Sequence, residues 1–238
     1  MALPKLNVPK YTLKLPSDAR RIVNFRPFLV KEEKLLLIAT ETGEQPEIVK
    51  AIKNIITSCT DIKDVDSLST FDIEYVFLQI RTKSVGENVT VSVTCPDDGE
   101  TEVEVQIPLD EIKVIKDKKH TKELKLDEEV VLTMGYPSLD TFVQMNFTEE
   151  GGAGVDQVFK MAASCVEQIS DPNQVYDCKD VPQKELLEFF DNLNSKQFGV
   201  IQSFFETMPK LSHTLKVTNP NTGKENEVVL EGLASFFG

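Results

Sequence analysis

Val93-Thr94-Cys95-Pro96-Asp97-Asp98-Gly99 carries a β-prone run into a turn, and Val217-Thr218-Asn219-Pro220-Asn221-Thr222-Gly223 does the same near the other end of the chain. In both, proline fixes the backbone at the second turn position and glycine closes the turn, where a positive φ is free of penalty. Alternating residues flank each turn. Val89-Thr-Val-Ser-Val-Thr94 and Val103-Glu-Val-Gln-Ile107 enclose the first, and Thr214-Leu-Lys-Val-Thr218 and Glu227-Val-Val-Leu230 the second. The spacing predicts two antiparallel hairpins of one kind.

Working outward, Leu13-Lys-Leu15 aligns with Leu124-Lys-Leu126, and Phe25-Arg-Pro27 aligns more weakly with Gly135-Tyr-Pro137. Tyr11–Leu15 and Arg21–Phe25 form a hairpin around Pro16-Ser-Asp18, and Leu124–Leu126 pairs with Val130–Met134. Helices are expected over 30–40, from Pro46 through Cys59, and from Ser69 to Ser84, then near 138–147, 156–169, 182–193 and 195–207. In the second of these, Ile48, Ile52, Ile55, Ile56 and Cys59 make an apolar stripe. Asp171–Asp177 is expected to be an inserted loop. The fold expectation is therefore α+β, with two related units, each a β-hairpin, helices and then a knuckle-like hairpin. The first unit spans residues 1–116. The second spans 117–238 and carries the extra helical insertion.

The knuckle raises a metal question. A hairpin turn reading Cys-Pro-x-Cys-Gly is half of a zinc ribbon, because two thiolates so spaced reach one tetrahedral ion. Here Cys95 stands alone, with Asp98 at the second ligand position and Asn219 and Thr222 at the other two. One good ligand in four predicts no metal, so these are degenerate zinc-ribbon turns. Catalytic motifs are equally sparse. His120 lies in a charged linker, His213 opens a strand, and no nucleophile elbow accompanies them. Glu149-Glu-Gly-Gly-Ala-Gly154 lacks the lysine of a phosphate loop, and its acidic flanks repel phosphate. No catalytic residue, metal ligand or cofactor is expected, and no small-molecule substrate.

The chain has 238 residues and a formal net charge of −13, which makes nucleic acid a poor partner. Its longest apolar run, Leu35–Ala39, is far too short to cross a bilayer, and no signal peptide opens the sequence, so no membrane association is expected. Four dispersed cysteines are expected as free thiols, Cys59 and Cys165 within apolar helical patterns. The first 34 residues depart from the acidic balance: eight Lys and Arg outnumber Asp18, Glu32 and Glu33. Pro4 and Pro9 exclude a regular helix at the start. Leu3, Lys5, Leu6, Val8 and Lys10 are candidates for an arm that docks on an acidic protein. Phe204, Phe205, Met208, Phe236 and Phe237 concentrate aromatic surface near the end, as core or as a second partner-binding patch.

Several segments resemble the baseplate hub subunit, or hub assembly, family of T-even-like contractile-tail phages. They are Leu3-Pro-Lys-Leu-Asn-Val-Pro9, Tyr11-Thr-Leu-Lys-Leu-Pro16, Arg26-Pro-Phe-Leu-Val-Lys-Glu-Glu-Lys-Leu-Leu36 and Phe77-Leu-Gln-Ile-Arg-Thr-Lys-Ser-Val-Gly-Glu87. Phe204-Phe-Glu-Thr-Met-Pro-Lys-Leu211 and Leu230-Glu-Gly-Leu-Ala-Ser-Phe-Phe-Gly238 complete the set. Their order spans nearly the whole chain. The resemblance implies a non-enzymatic structural or chaperone-like role in building the tail baseplate hub. Its partners would be other hub and tail proteins, in the host cytoplasm during assembly or in the virion. The alternative from the residues alone is a small soluble enzyme or a ligand-binding degenerate zinc ribbon.

Overall fold

The computed structural model describes residues 7–141, 155–232 and 234–237. Its contacts divide the chain into two compact units. One comprises residues 1–115 together with 210–238, and the other is the intervening segment 116–209. This corrects the expected division into 1–116 and 117–238. Both knuckle hairpins fall in the first unit, so the expected plan of two related units, each with its own knuckle, is not what the contacts show.

The first unit opens with β1 (Tyr11–Lys14) and β2 (Ile22–Phe25), an antiparallel pair. Leu13, Val23 and Phe25 point inward while Thr12, Lys14, Ile22 and Asn24 face out, the period-two pattern of a half-buried hairpin. Helices α1 (Val30–Thr42), α2 (Gln45–Cys59) and α3 (Thr70–Val85) follow. Gly43 ends α1 in the left-handed region (φ 69°), donating its N–H to the Thr40 carbonyl at 3.2 Å. Pro46 occupies the first turn of α2, where its missing N–H costs nothing. At the start of α3, Asp72 is fully buried. It accepts from Ser69 Oγ at 2.7 Å and from the Ser17 N–H at 3.0 Å, which ties the β1–β2 turn to the helix. Ile55, Ile56, Ile73, Val76, Phe77 and Ile80 are almost completely shielded from solvent.

After α3 come β3 (Asn88–Thr94), β4 (Glu102–Pro108) and β5 (Lys113–Ile115), and the unit closes with β10 (Lys210–Thr218), β11 (Glu225–Glu231) and α7 (Ala234–Phe237). β3 pairs with β4, and a three-stranded sheet runs in the order β11-β10-β5. β5, which no expected element covered, is the strand that receives β10, with Ile115 opposite Lys210 and Val114 opposite Leu211. Leu78 from α3, Val91, Val93, Cys95, Ile107, Leu109 and Ile112 pack with Leu211, Leu215, Val217, Leu230 and Phe236 in one core. Burying a side chain of this size contributes about 2 kcal/mol each relative to exposure.

The second unit contains β6 (Glu123–Lys125), β7 (Val131–Met134), α4 (Val155–Ser164), β8 (Val166–Ser170), β9 (Val175–Asp177), α5 (Gln183–Asp191) and α6 (Ser195–Thr207). Its four strands form one antiparallel sheet in the order β6-β7-β8-β9. The helix expected over 156–169 ends at Ser164, because β-branched Val166 and Ile169 are claimed by the sheet as β8. The expected loop 171–177 is a tight turn closed by Asp171, whose Oδ1 accepts from the N–H groups of Asn173 and Gln174, followed by the edge strand β9. Of the helix expected near 138–147, only residues to 141 are described. Leu132, Met134, Ala162, Cys165, Phe190, Ile201 and Phe204 form the core. Asn194 caps α6, its Oδ1 accepting from the N–H groups of Lys196 and Gln197 at 3.0 Å.

Candidate interaction surface and the paired turns

The two knuckle turns are the same in shape. Gly99 and Gly223 adopt φ 71° and 70°, and each donates its N–H at 2.9 Å to the carbonyl four residues back, that of Cys95 and of Asn219. They also meet each other. Asn219, with no exposed surface, donates through Nδ2 to Asp97 Oδ1 and Asp98 Oδ2, both at 2.8 Å. Its Oδ1 accepts from the N–H groups of Asn221 and Thr222. Asn226, on β11, exchanges two bonds with Asp97, and Thr222 Oγ1 donates to Asp97 Oδ2. Asn221 Nδ2 reaches Thr101 Oγ1 at 2.9 Å. Every polar atom of this buried amide is therefore used.

The electrostatics follow from these donors. Bonds from Thr222 and Asn219 hold Asp97 below the usual carboxylate range, and Thr101 and Asn219 do the same for Asp98. Burial, reinforced by Asp97 and Asp98 nearby, raises the Cys95 thiol. Among the described residues no group of three or more His, Cys, Asp or Glu is placed to hold a metal ion. The donor set agrees with that geometry. At the third ligand position Asn219 presents N–H groups towards the carboxylates, and a metal needs lone pairs there. Hydrogen bonding between turns does the joining that an ion does in a zinc ribbon.

The expected contact residues separate on inspection. Leu3, Lys5 and Leu6 lie outside the described residues, as does the side chain of Phe237. Val8 is half-buried and Lys10 exposed, with Lys10 lining a cleft of about 230 Å³ beside Asn24, Arg26, Ser58 and Asp61. Phe204 and Phe236 are core residues, 1% exposed each, and cannot meet a partner without unfolding. The packing of α6 onto its sheet and of α7 beside β3 accounts for both. Phe205 and Met208 remain half-exposed.

His120, assigned from sequence to a charged linker, is held in place. Its Nδ1 lies 3.0 Å from Thr207 Oγ1 and its Nε2 3.1 Å from the Tyr136 hydroxyl, with its ring against Phe204. Burial lowers its pKa. Neither bond partner is a carboxylate or a nucleophile with a base beside it, and the arrangement is a structural clamp.

The surface that sequence reasoning passed over is α1. Val30, Leu35, Leu37 and Ile38 are 78, 50, 58 and 48% exposed, while the helix buries Glu32 and Ala39. Glu32 explains the inversion. Burial opposes its ionisation, but Arg26 Nη2 at 2.9 Å and the Leu29 N–H at 2.8 Å outweigh that and keep its pKa low. A polar anchor thus faces inward at the start of α1 and turns leucines outward. The run Leu35–Ala39, weighed from sequence only as too short to cross a bilayer, was the signal that could have found this face.

No solved structure matches the chain. The chain is 24% identical, over 220 residues, to the baseplate hub assembly protein gp26 of Enterobacteria phage T4, a match covering 91% of this chain and 93% of that protein. The family described as T4 bacteriophage base plate protein matches residues 8–238, which includes both knuckles, α1 and the whole inserted unit. The chain belongs to the T4 bacteriophage base plate protein family.

Proposed function

We propose that the chain is a non-enzymatic hub assembly protein of a phage baseplate that acts by binding other baseplate proteins. The observation that carries this reading is the extent of the match. A protein named for hub assembly aligns over 93% of its own length, so the likeness is to a whole protein and not to a shared module. The surface supports a binding role, since contiguous exposed apolar side chains on a small protein mark contact sites. In this reading the basic N-terminal segment, including Leu3, Lys5, Leu6, Val8 and Lys10, steers towards an acidic partner, and Phe205 and Met208 add apolar contact. The chain works in the host cytoplasm while the hub is built, as a chaperone-like factor or as a part of the finished tail.

Co-expression with the other baseplate proteins of the same phage, followed by pull-down and size-exclusion chromatography, tests the reading. The expected result is a stoichiometric complex that weakens with salt. Deleting residues 1–9 is expected to keep the melting temperature and loosen the complex. Failure to retain any baseplate protein would remove the proposal.

A further inference from the structure

The exposed stripe of α1 is complementary to itself. Lys34, Leu37, Ile38 and Glu41 follow the i, i+3, i+4, i+7 spacing that puts side chains on one face, and Val30 extends that face by another turn. Lys34 and Glu41 stand two turns apart, about 10 Å along the axis, too far to pair within one helix. Neither has an ion-pair partner among the described residues. The midpoint between them falls between Leu37 and Ile38. A two-fold axis through that midpoint, perpendicular to the helix, lays Lys34 against Glu41 of a second copy, Glu41 against its Lys34, and Leu37 against its Ile38.

We infer that α1 is a homotypic interface, on which two copies of this chain pair through antiparallel α1 helices. Symmetry is what the pattern supplies. An isologous contact needs a patch complementary to itself when reversed, and a basic position, two apolar positions and an acidic position in that order provide one. Parallel pairing would set Lys34 on Lys34 and Glu41 on Glu41, which disfavours that alternative. The contact is built from the outer side of the helix, opposite buried Glu32 and Ala39, so forming it requires no rearrangement of the core. One helix pair is smaller than the roughly 1,600 Å² of a standard stable interface, so association is expected in the micromolar range. This inference stands apart from the hub-assembly reading, since it concerns a second copy of the same chain.

The test uses the full chain in sedimentation-velocity runs across the micromolar range, with far-UV circular dichroism and thermal melting as folding controls. The expected result is a concentration-dependent shift from a 26.7 kDa species to one of twice that mass. Ile38→Asp should abolish the shift and leave melting unchanged, because the side chain is solvent-facing. Lys34→Glu and Glu41→Lys should each weaken pairing by roughly tenfold, as two symmetry-related contacts change sign at once. The combination Lys34→Glu with Glu41→Lys should restore it, which distinguishes self-pairing from docking of a different protein. A wild-type chain that stays monomeric throughout overturns the inference, as does a dimer indifferent to Ile38→Asp or a double swap that fails to restore pairing. An α1 face that instead captures a baseplate protein, with the chain itself monomeric, also overturns it.

Discussion

The turn at 95–99 and the turn at 219–223 have the same backbone and different interiors. Proline and glycine at matching places give matching φ values and matching turn bonds. The first turn brings two carboxylates and a buried thiol, and the second brings two amides and a hydroxyl. Acceptors on one side and donors on the other make the pair mutually dependent, which two acidic turns could not be. Turn shape and turn partnership are thus written in separate residues. Changing one should leave the other intact.

Asn219→Ala is expected to have the largest effect, because it removes a fully buried amide that makes four bonds, taking one donor from each carboxylate and the acceptor from the N–H groups of Asn221 and Thr222. Urea denaturation should show a loss of about 3 kcal/mol with the m-value unchanged. Gly99→Val and Gly223→Val come next. Neither position has any atom within 4 Å of an added Cβ, so the cost is conformational and should be alike in the two, about 1–2 kcal/mol. Unequal losses would break the equivalence of the turns. A subtler effect is expected with pH. Asp97 and Asp98 have depressed pKa values when folded, so they stabilise the chain above the unfolded carboxylate range and lose that contribution as pH falls through their lower folded values. The denaturation midpoint should therefore drop between about pH 5 and pH 2, and Asp97→Asn should flatten that slope. The smallest effect is expected from metal removal. A chelator should leave the melting temperature where it was, and metal analysis should find well under one zinc per chain; near-stoichiometric zinc would refute the hydrogen-bonded account of the joint.

Local patterns announced most of the elements. Prolines, capping residues and alternating valines place α2, α3 and both knuckles close to where they form, because short-range sterics decide them. Where tertiary demand overrode local preference, reading failed. Val166–Ser170 continues a helical pattern yet completes a sheet, and Lys113–Ile115 is too short and too charged to declare itself before β10 is seen beside it. Phe204 and Phe236 illustrate the ambiguity of aromatic clusters, which serve cores and interfaces alike. The identity of the two turns was legible, and their embrace was not, since nothing in a one-dimensional pattern says that residues so distant face each other. On α1 the clue was Glu32, whose inward placement depends on Arg26 and could not be inferred from the helix alone.

The pairing of Ile115 with Lys210 also bears on synthesis at the ribosome. The chain emerges from its N-terminus, so the segment 116–209 is released, and free to fold, before β10 and β11 exist. Throughout that interval the β3–β4 hairpin lacks the part of its core that β10 and β11 supply, and Asp97 and Asp98 wait for the donors of the second turn. Closing so long a loop is slow relative to local folding, though its entropic cost grows only with the logarithm of length, by about 0.6 kcal/mol per doubling. A nascent chain stalled near Pro209 therefore displays half a joint, and emergence of β10 and β11 is the event that completes it.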